Sequence, residues 1–299
     1  MIETRDPAGQ DRGSIAPWLQ GRRGCRGRAA LAIGIALLAA PATAADPPSW
    51  TQPTAPFHLI GPVDYVGTEG LAAYLIHTSA GAILIDGTMA ENAAAIERSV
   101  AARGVQMRDV KVLLLSHAHF DHAGGLAALK RASGAQLVAG AADRAALESG
   151  VPPGETSYGV IRFPAVKVDR AIRDGERVRL GGVTLTAVAT PGHTPGCTSW
   201  SLRLRARGKP VDILFACSVT VAGNKLVGNR RYPAIVTDFR ASLARLSGMS
   251  ADIVLPFHPE LADLRARAAR DTLVDRAALP MMVRDARAAF DADLAKQRQ

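Results

Sequence analysis

The chain has 299 residues, a formal net charge of +9 from 36 Lys+Arg against 27 Asp+Glu, 48% hydrophobic and 21% charged residues, and three cysteines. This composition can bury a core, which excludes global disorder, and three cysteines are too few for a disulfide-built scaffold. No second apolar stretch besides residues 29–40 is long enough to span a bilayer, which excludes a polytopic membrane protein.

The N-terminus reads as a leader. Arg5, Arg12, Arg22, Arg23, Arg26 and Arg28 precede the apolar run AALAIGIALLAA, Pro41 breaks it, and Ala42-Thr43-Ala44 is a small-x-small cleavage site. A basic region, a short apolar stretch and such a site predict a secretory signal peptide over 1–44, with 45–299 as a single exported, periplasmic domain. The long basic region also allows a true start downstream of Met1. A membrane anchor is the alternative, but twelve residues of helix reach only about 18 Å against about 30 Å of hydrocarbon. No stable membrane association is therefore expected after cleavage. The remaining arginines, such as Arg203, Arg230 and Arg265, are scattered and not interleaved with aromatics, which argues against nucleic acid as a partner. Cys25 leaves with the leader. Cys197 and Cys217 remain, and an oxidising compartment favours a disulfide between them over two buried thiols.

After the Pro-rich segment 45–56, strand-like runs follow at 57–61, 63–67, 71–78 and 82–86, separated by turn residues. The spacing predicts a helix over 91–104, a strand apolar on both faces at 110–116, and a helix over 123–133. AQLVAG reads as a strand and AADRAALE as a helix, and 149–165 as an irregular loop. Strands follow at 183–190, 198–205 and 211–217, then a helix over 233–249, a strand at 251–258, and helical composition to Lys296. The order describes a layered α/β protein, without choosing among layered folds.

Chemistry concentrates in the histidines. Ser116-His117-Ala118-His119-Phe120-Asp121-His122 follows a buried strand, His193 sits in a Pro-Gly turn after another, and His258 ends a third. Ligands gather at the carboxyl ends of strands in α/β folds. In a turn, His117 and His119 can face one metal, while Phe120 points away and anchors the loop. Adjacent Asp121 and His122 can serve a second metal. Neutral imidazole and carboxylate suit Zn²⁺, and three protein ligands leave the open position of a catalytic site. His117, His119 and His193 make one trio; Asp121, His122 and His258 make another. His58 and His77 stand alone and read as structural. Trp200 reads as core, Asn224 and Asn229 as turn formers first and substrate contacts second, and Glu260 as either a support for His258 or a helix-start acid.

HAHFDH, the Gly192-His193 turn and the late His258 resemble the metallo-β-lactamase superfamily pattern over roughly residues 55 to 260. The resemblance implies a four-layer αβ/βα sandwich with the site at its rim. It leaves the substrate open, because the superfamily includes glyoxalase II, lactonases, RNase Z and sulfur dioxygenases. Glyoxalase II and lactonases typically carry a bridging Asp at the end of VDILFACS; this chain has Cys217 and Ser218 there, and no acid between Asp212 and Asp238. Both trios are complete without sulfur. This pattern is most similar to class B, subclass 3 metallo-β-lactamases, in which cysteines placed like 197 and 217 pair beside the site. The resemblance implies two Zn²⁺, a metal-bridging hydroxide attacking a β-lactam carbonyl, catalytic Asp121, and Ser218 and Thr220 on the substrate carboxylate. The expected partner is a small-molecule β-lactam of a monomeric enzyme. Another hydrolase of the same fold, such as a lactonase, and a metal-binding protein without catalysis are the alternatives.

Overall fold

The structure, a computed structural model, describes residues 46–299; the predicted leader and its Cys25 lie outside the described residues. The elements in chain order are β1 Phe57–Ile60, β2 Val63–Tyr65, β3 Tyr74–Thr78, β4 Gly81–Ile85, α1 Ala93–Ala102, β5 Val110–Leu114, α2 Phe120–Ala123 and α3 Leu126–Ser133. There follow β6 Gln136–Gly140, α4 Arg144–Ser149, β7 Arg170–Ile172, β8 Arg177–Leu180, β9 Val183–Ala189, β10 Thr198–Ala206 and β11 Lys209–Ala216. The chain closes with α5 Ile235–Ser247, β12 Ile253–Pro256, α6 Leu264–Ala269 and α7 Ala278–Gln297.

Strands β1 to β7 form one sheet in sequence order, and β12-β11-β10-β9-β8 form the second. The first sheet begins as an antiparallel meander and turns parallel from β4 onward. Alternation along the strands explains the layering, because successive side chains leave a strand on opposite faces. Ile76, Ile83, Ile85 and Leu114 point between the sheets, where they meet Trp200, Phe215, Ile253 and Leu255. Their neighbours Leu75, Leu84 and Leu113 point outward onto Ile96 and Val100 of α1 and Leu126 and Leu129 of α3. On the other side Leu214 and Val254 meet Phe239 and Leu243 of α5 and Leu279 and Phe290 of α7. Three apolar layers between helix, sheet, sheet and helix give the expected αβ/βα sandwich. Among the described residues no helix is long and apolar enough to cross a membrane.

Two strands depart from the sequence expectation. β7 and β8 close one edge of each sheet. Both are short, and exposed Arg177 and Arg179 alternate with Val178 in β8. Edge strands carry charge because one side of their backbone is unpaired, and that charge hid them. β3 also starts at Tyr74; the buried residues before it form a turn in which Thr68 N–H donates to Leu71 O at 2.8 Å.

Cys197 and Cys217 form a disulfide, with Cα atoms 5.9 Å apart and a sequence separation of 20. Closing such a loop contributes about 3 kcal/mol in the chain-entropy account. Trp200 is fully buried and donates from Nε1 to Leu115 O at 3.1 Å, tying the two sheets together.

His58 and His77 have the structural role expected of them. Both meet the buried Asp64, at 3.1 Å and 2.8 Å, and Arg103 of the loop after α1 donates to the same carboxylate at 2.8 Å and 3.1 Å. Burial pushes the Asp64 pKa up, but Arg103, His77 and His58 pull it below the ordinary value overall. A depressed carboxylate stabilises the fold above its unfolded value near ~4 and loses that contribution as pH falls through its lower folded value. Asp64→Asn should lower unfolding free energy at pH 7 by about 1–3 kcal/mol, the scale of a charge-assisted bond. Denaturant titration should show the gap to wild type closing below pH 4; equal stability at pH 7 contradicts this role.

Candidate metal centre

The sandwich brings the ends of β5, β9, β11 and β12 to one rim. His117 and His119 follow β5, His119 in extended backbone, and α2 begins at Phe120, so Asp121 and His122 fall on a helical turn. His193 follows β9 in a turn that needs Gly192. That residue has φ +139°, and a Cβ there would stand 2.7 Å from the Phe239 ring. His258 follows β12.

The six predicted ligand residues come together. His117, His119 and His193 each offer a donor atom within 4.8 Å of the others, and so do His117, Asp121 and His122. His119 Nδ1 and His193 Nε2 are 2.9 Å apart. Asp121 Oδ2 lies 3.1 Å from His122 Nε2 and 3.5 Å from His258 Nε2. His258 stands at the mouth, 20% exposed, while the other five are buried.

Outward hydrogen bonds turn the free nitrogens inward. His193 Nδ1 donates to Thr220 O at 2.7 Å, and His122 Nδ1 donates to Asp86 Oδ2 at 2.9 Å. Asp86 also accepts from Ser116 N–H at 2.7 Å and Ser116 Oγ at 2.6 Å, and Ser116 Oγ in turn lies 3.0 Å from His117 Nδ1. One buried carboxylate thus orients a ring in each trio. Its backbone is left-handed, at φ +64°, a conformation that costs a non-glycine residue and persists where the surroundings hold it.

The electrostatics divide the cluster. Burial pushes His117, His119 and His193 down, His119 to about 4, so these rings are neutral. Burial opposes charge on Asp121 too, but His122 holds its carboxyl well below the ordinary range. Burial likewise disfavours a proton on His122; Asp121 and Asp86 outweigh it and raise the ring to about 10.

His117 Nε2 and His119 Nε2 are buried without any hydrogen-bond partner, and His122 Nε2 has only its ion-pair contact with Asp121 at 3.1 Å. Unpaired buried polar atoms are rare because they lose water and gain nothing. A cation among them supplies the missing partner, and imidazole nitrogens with one carboxylate suit zinc. The residues therefore fit a metal pair. Cys217 Sγ comes within 3.8 Å of His117 Nδ1, but the disulfide holds that sulfur.

The remaining predicted residues also gather here. Ser218 and Thr220 lie beside His193, their hydroxyls 2.9 Å apart and open to solvent. Asn224 and Asn229 are buried; Asn229 bonds locally to Lys225 O at 2.9 Å, as a turn former does, whereas the Asn224 side chain reaches across to His193 O at 3.1 Å and so holds the His193 loop. Glu260 lies in the first turn of the 3-10 segment Pro259–Ala262, as a helix-start acid does, and its Oε1 stands 3.7 Å from His258 Nδ1, beyond hydrogen-bond reach. Phe120 is half-buried and packs on the α1–α3 core, 6.2 Å from the Trp50 ring.

Sequence reasoning missed Asp86, Asp143 and Trp50. Asp86 carried a signal, an acid ending a buried strand. Trp50 carried none: it lies in the Pro-rich lead-in, yet its ring sits 5.4 Å from His258. Asn92 Nδ2 and Thr68 Oγ1 hold that segment by donating to Trp50 O at 2.9 Å and 3.0 Å.

Comparison with known proteins agrees with this geometry. BJP-1, a subclass B3 metallo-β-lactamase of Bradyrhizobium japonicum, superposes with a TM-score of 0.80 at 42% identity, over 84% of this chain and 97% of that one. The native FEZ-1 metallo-β-lactamase from Legionella gormanii superposes at 0.77 and 35% identity, over 83% and 98%. The hydroxyacylglutathione hydrolase of Acidiphilium cryptum is 29% identical over 69% of this chain and 71% of its own length. The chain spans only 50% of the length of its counterpart from Cereibacter sphaeroides, at 30% identity. A model of the metallo-β-lactamase superfamily matches residues 67–258. With its six donor residues at the strand ends of an αβ/βα sandwich, the chain belongs to the metallo-β-lactamase superfamily.

Proposed function

We propose that the chain is an exported zinc-dependent β-lactamase of subclass B3 type. The observation that carries the reading is the end of β11. There Ser218, with no acid nearby in sequence, opens beside the two donor trios, in which His117 Nε2 and His119 Nε2 lack any hydrogen-bond partner. The near full-length likeness to B3 metallo-β-lactamases supports it. The curated relatives favour a second reading, hydrolysis of a glutathione thioester, and the absence of an acid after β11 weighs against it.

His117, His119 and His193 would hold one zinc ion, and Asp121, His122 and His258 the other. When bound, the pair supplies Lewis acidity, bringing the pKa of water toward ~7 and polarising a carbonyl. Asp121, ionised and facing both His122 and His258, accepts a proton-bearing hydrogen bond from the attacking water at its carboxylate. Asp86 keeps His122 and His117 from rotating, through Nδ1 of the first and through Ser116 for the second. Ser218 Oγ and Thr220 Oγ1 donate to the substrate carboxylate from the solvent side. Trp50 walls the site beside His258. Glu155, in the loop before β7, ties that loop to the segment after β11, accepting from Arg230 N–H at 3.1 Å and from Lys225 Nζ at 3.3 Å.

Three measurements test this reading. Zinc-loaded protein should open a chromogenic cephalosporin, lose that activity to a chelator and regain it on zinc addition. Turnover confined to S-lactoylglutathione or acyl-homoserine lactones contradicts it. Ser218→Ala should raise KM several-fold with kcat nearly unchanged, because the hydroxyl binds ground and transition states alike; a lost kcat at unchanged KM contradicts that role. Expressed in a Gram-negative host, the mature protein should begin at Ala45 and leave with the periplasmic fraction. An intact leader on cytoplasmic protein contradicts export.

A further inference from the structure

Asp143 is a buried acid that touches none of the six donor residues by hydrogen bond. It ends the 3-10 turn Ala141–Asp143 and stands at the N-cap of α4. An N-cap aspartate ordinarily accepts from the first amides of its own helix. Here the side chain makes no capping bond. Its carboxylate is turned instead to the rim of the sandwich. Oδ2 accepts from Ala118 N–H at 2.9 Å and from Thr194 Oγ1 at 2.7 Å, and Oδ1 accepts from Gly196 N–H at 2.8 Å.

The donors have a common meaning. Ala118 lies between His117 and His119, and Thr194 and Gly196 belong to the turn that carries His193. One side chain therefore joins the two loops that present the first trio. The approach is tight: a Cβ on Gly196 would stand 2.6 Å from Asp143 Cγ, so only glycine lets the amide come so near. On the strand side the same loops are joined by Thr198 N–H donating to Ser116 O at 2.8 Å. That bond lies before His117 and after Gly196, whereas Asp143 joins the two loops at Ala118 and Thr194, next to the imidazole-bearing residues, and Asn224 holds His193 O separately at 3.1 Å.

We propose that Asp143 is a positioning residue for the first donor set, clamping the His117–His119 loop to the His193 loop at the spacing one metal ion requires. Asp86 works differently, because it orients His122 directly and His117 through Ser116. Removing Asp143 leaves both rings of the His117–His119 pair intact but frees their backbone relative to His193. The effect falls on the first ion and spares the second. The proposal rests on the assignment of the two trios above.

Zinc affinity measured by chelator competition, without any activity assay, tests it in two backgrounds. In His258→Ala, where the first set alone is complete, Asp143→Ala should weaken zinc binding about 10–100-fold, the scale known for groups that orient ligands. In His193→Ala, where only the second set is complete, the same change should leave affinity within about two-fold of its background. Thr194→Val, which removes one of the three donors and keeps the fold more securely, should weaken the first site in the same direction by less. Equal loss in both backgrounds overturns the proposal. So does a lowered melting temperature with first-site affinity unchanged in both Asp143→Ala and Thr194→Val. Zinc binding by neither background nor the unmutated protein overturns the metal assignment itself along with the proposal.

Discussion

Burying several imidazoles against one another is unfavourable unless their inner nitrogens find a partner, and this constraint governs the rim of the molecule. The outer nitrogens are satisfied by Thr220 O, Ser116 and Asp86. The inner ones meet one another or Asp121, as His119 Nδ1 meets His193 Nε2 at 2.9 Å and His122 Nε2 meets Asp121 at 3.1 Å, while His117 Nε2 and His119 Nε2 have no partner. One carboxylate, Asp121, supplies the only negative charge among the six residues. The rim thus carries the donor chemistry of a cation-binding cluster.

The sandwich makes that arrangement affordable. Two sheets pinned by Trp200, Phe215, Ile83 and Leu114 fix the strand ends to within the tolerance of side-chain rotamers. Short loops then carry the donors. Where loops must approach one another, the chain uses glycine, as at Gly192 against Phe239 and Gly196 against Asp143. Where they must be held, it uses buried acids. Asp86, Asp143 and Asp64 each collect three or more donors, and each joins segments far apart in sequence. The first two serve the rim and the third the opposite part of the first sheet.

Much of this was legible in the sequence, and for physical reasons. Strands buried on both faces, such as β4, β5 and β12, read as continuous apolar runs, and histidines placed directly after them declare a rim site. The six donor positions and the paired cysteines were readable because their residue types are rare and their spacing is tight. Edge strands β7 and β8 were not readable, since three or four residues mixed with arginine are too few to establish a period. Trp50 gave no sign because its position depends on how a Pro-rich segment folds back onto Asn92 and Thr68. Asp143 read as part of a helix, which it is by backbone; only the direction of its side chain reveals what it holds. His58 and His77 were recognised as structural, but the acid that gathers them, Asp64, is visible only once β1, β2 and β3 are paired in register.

The central claim is a pair of adjacent cation sites sharing one rim, each with three protein donors. Anomalous X-ray scattering at the zinc absorption edge, from crystals of zinc-loaded protein, tests it most directly. The account predicts two anomalous peaks per chain, one among His117, His119 and His193 and one among Asp121, His122 and His258. A single peak, or ions bound away from these residues, would contradict it.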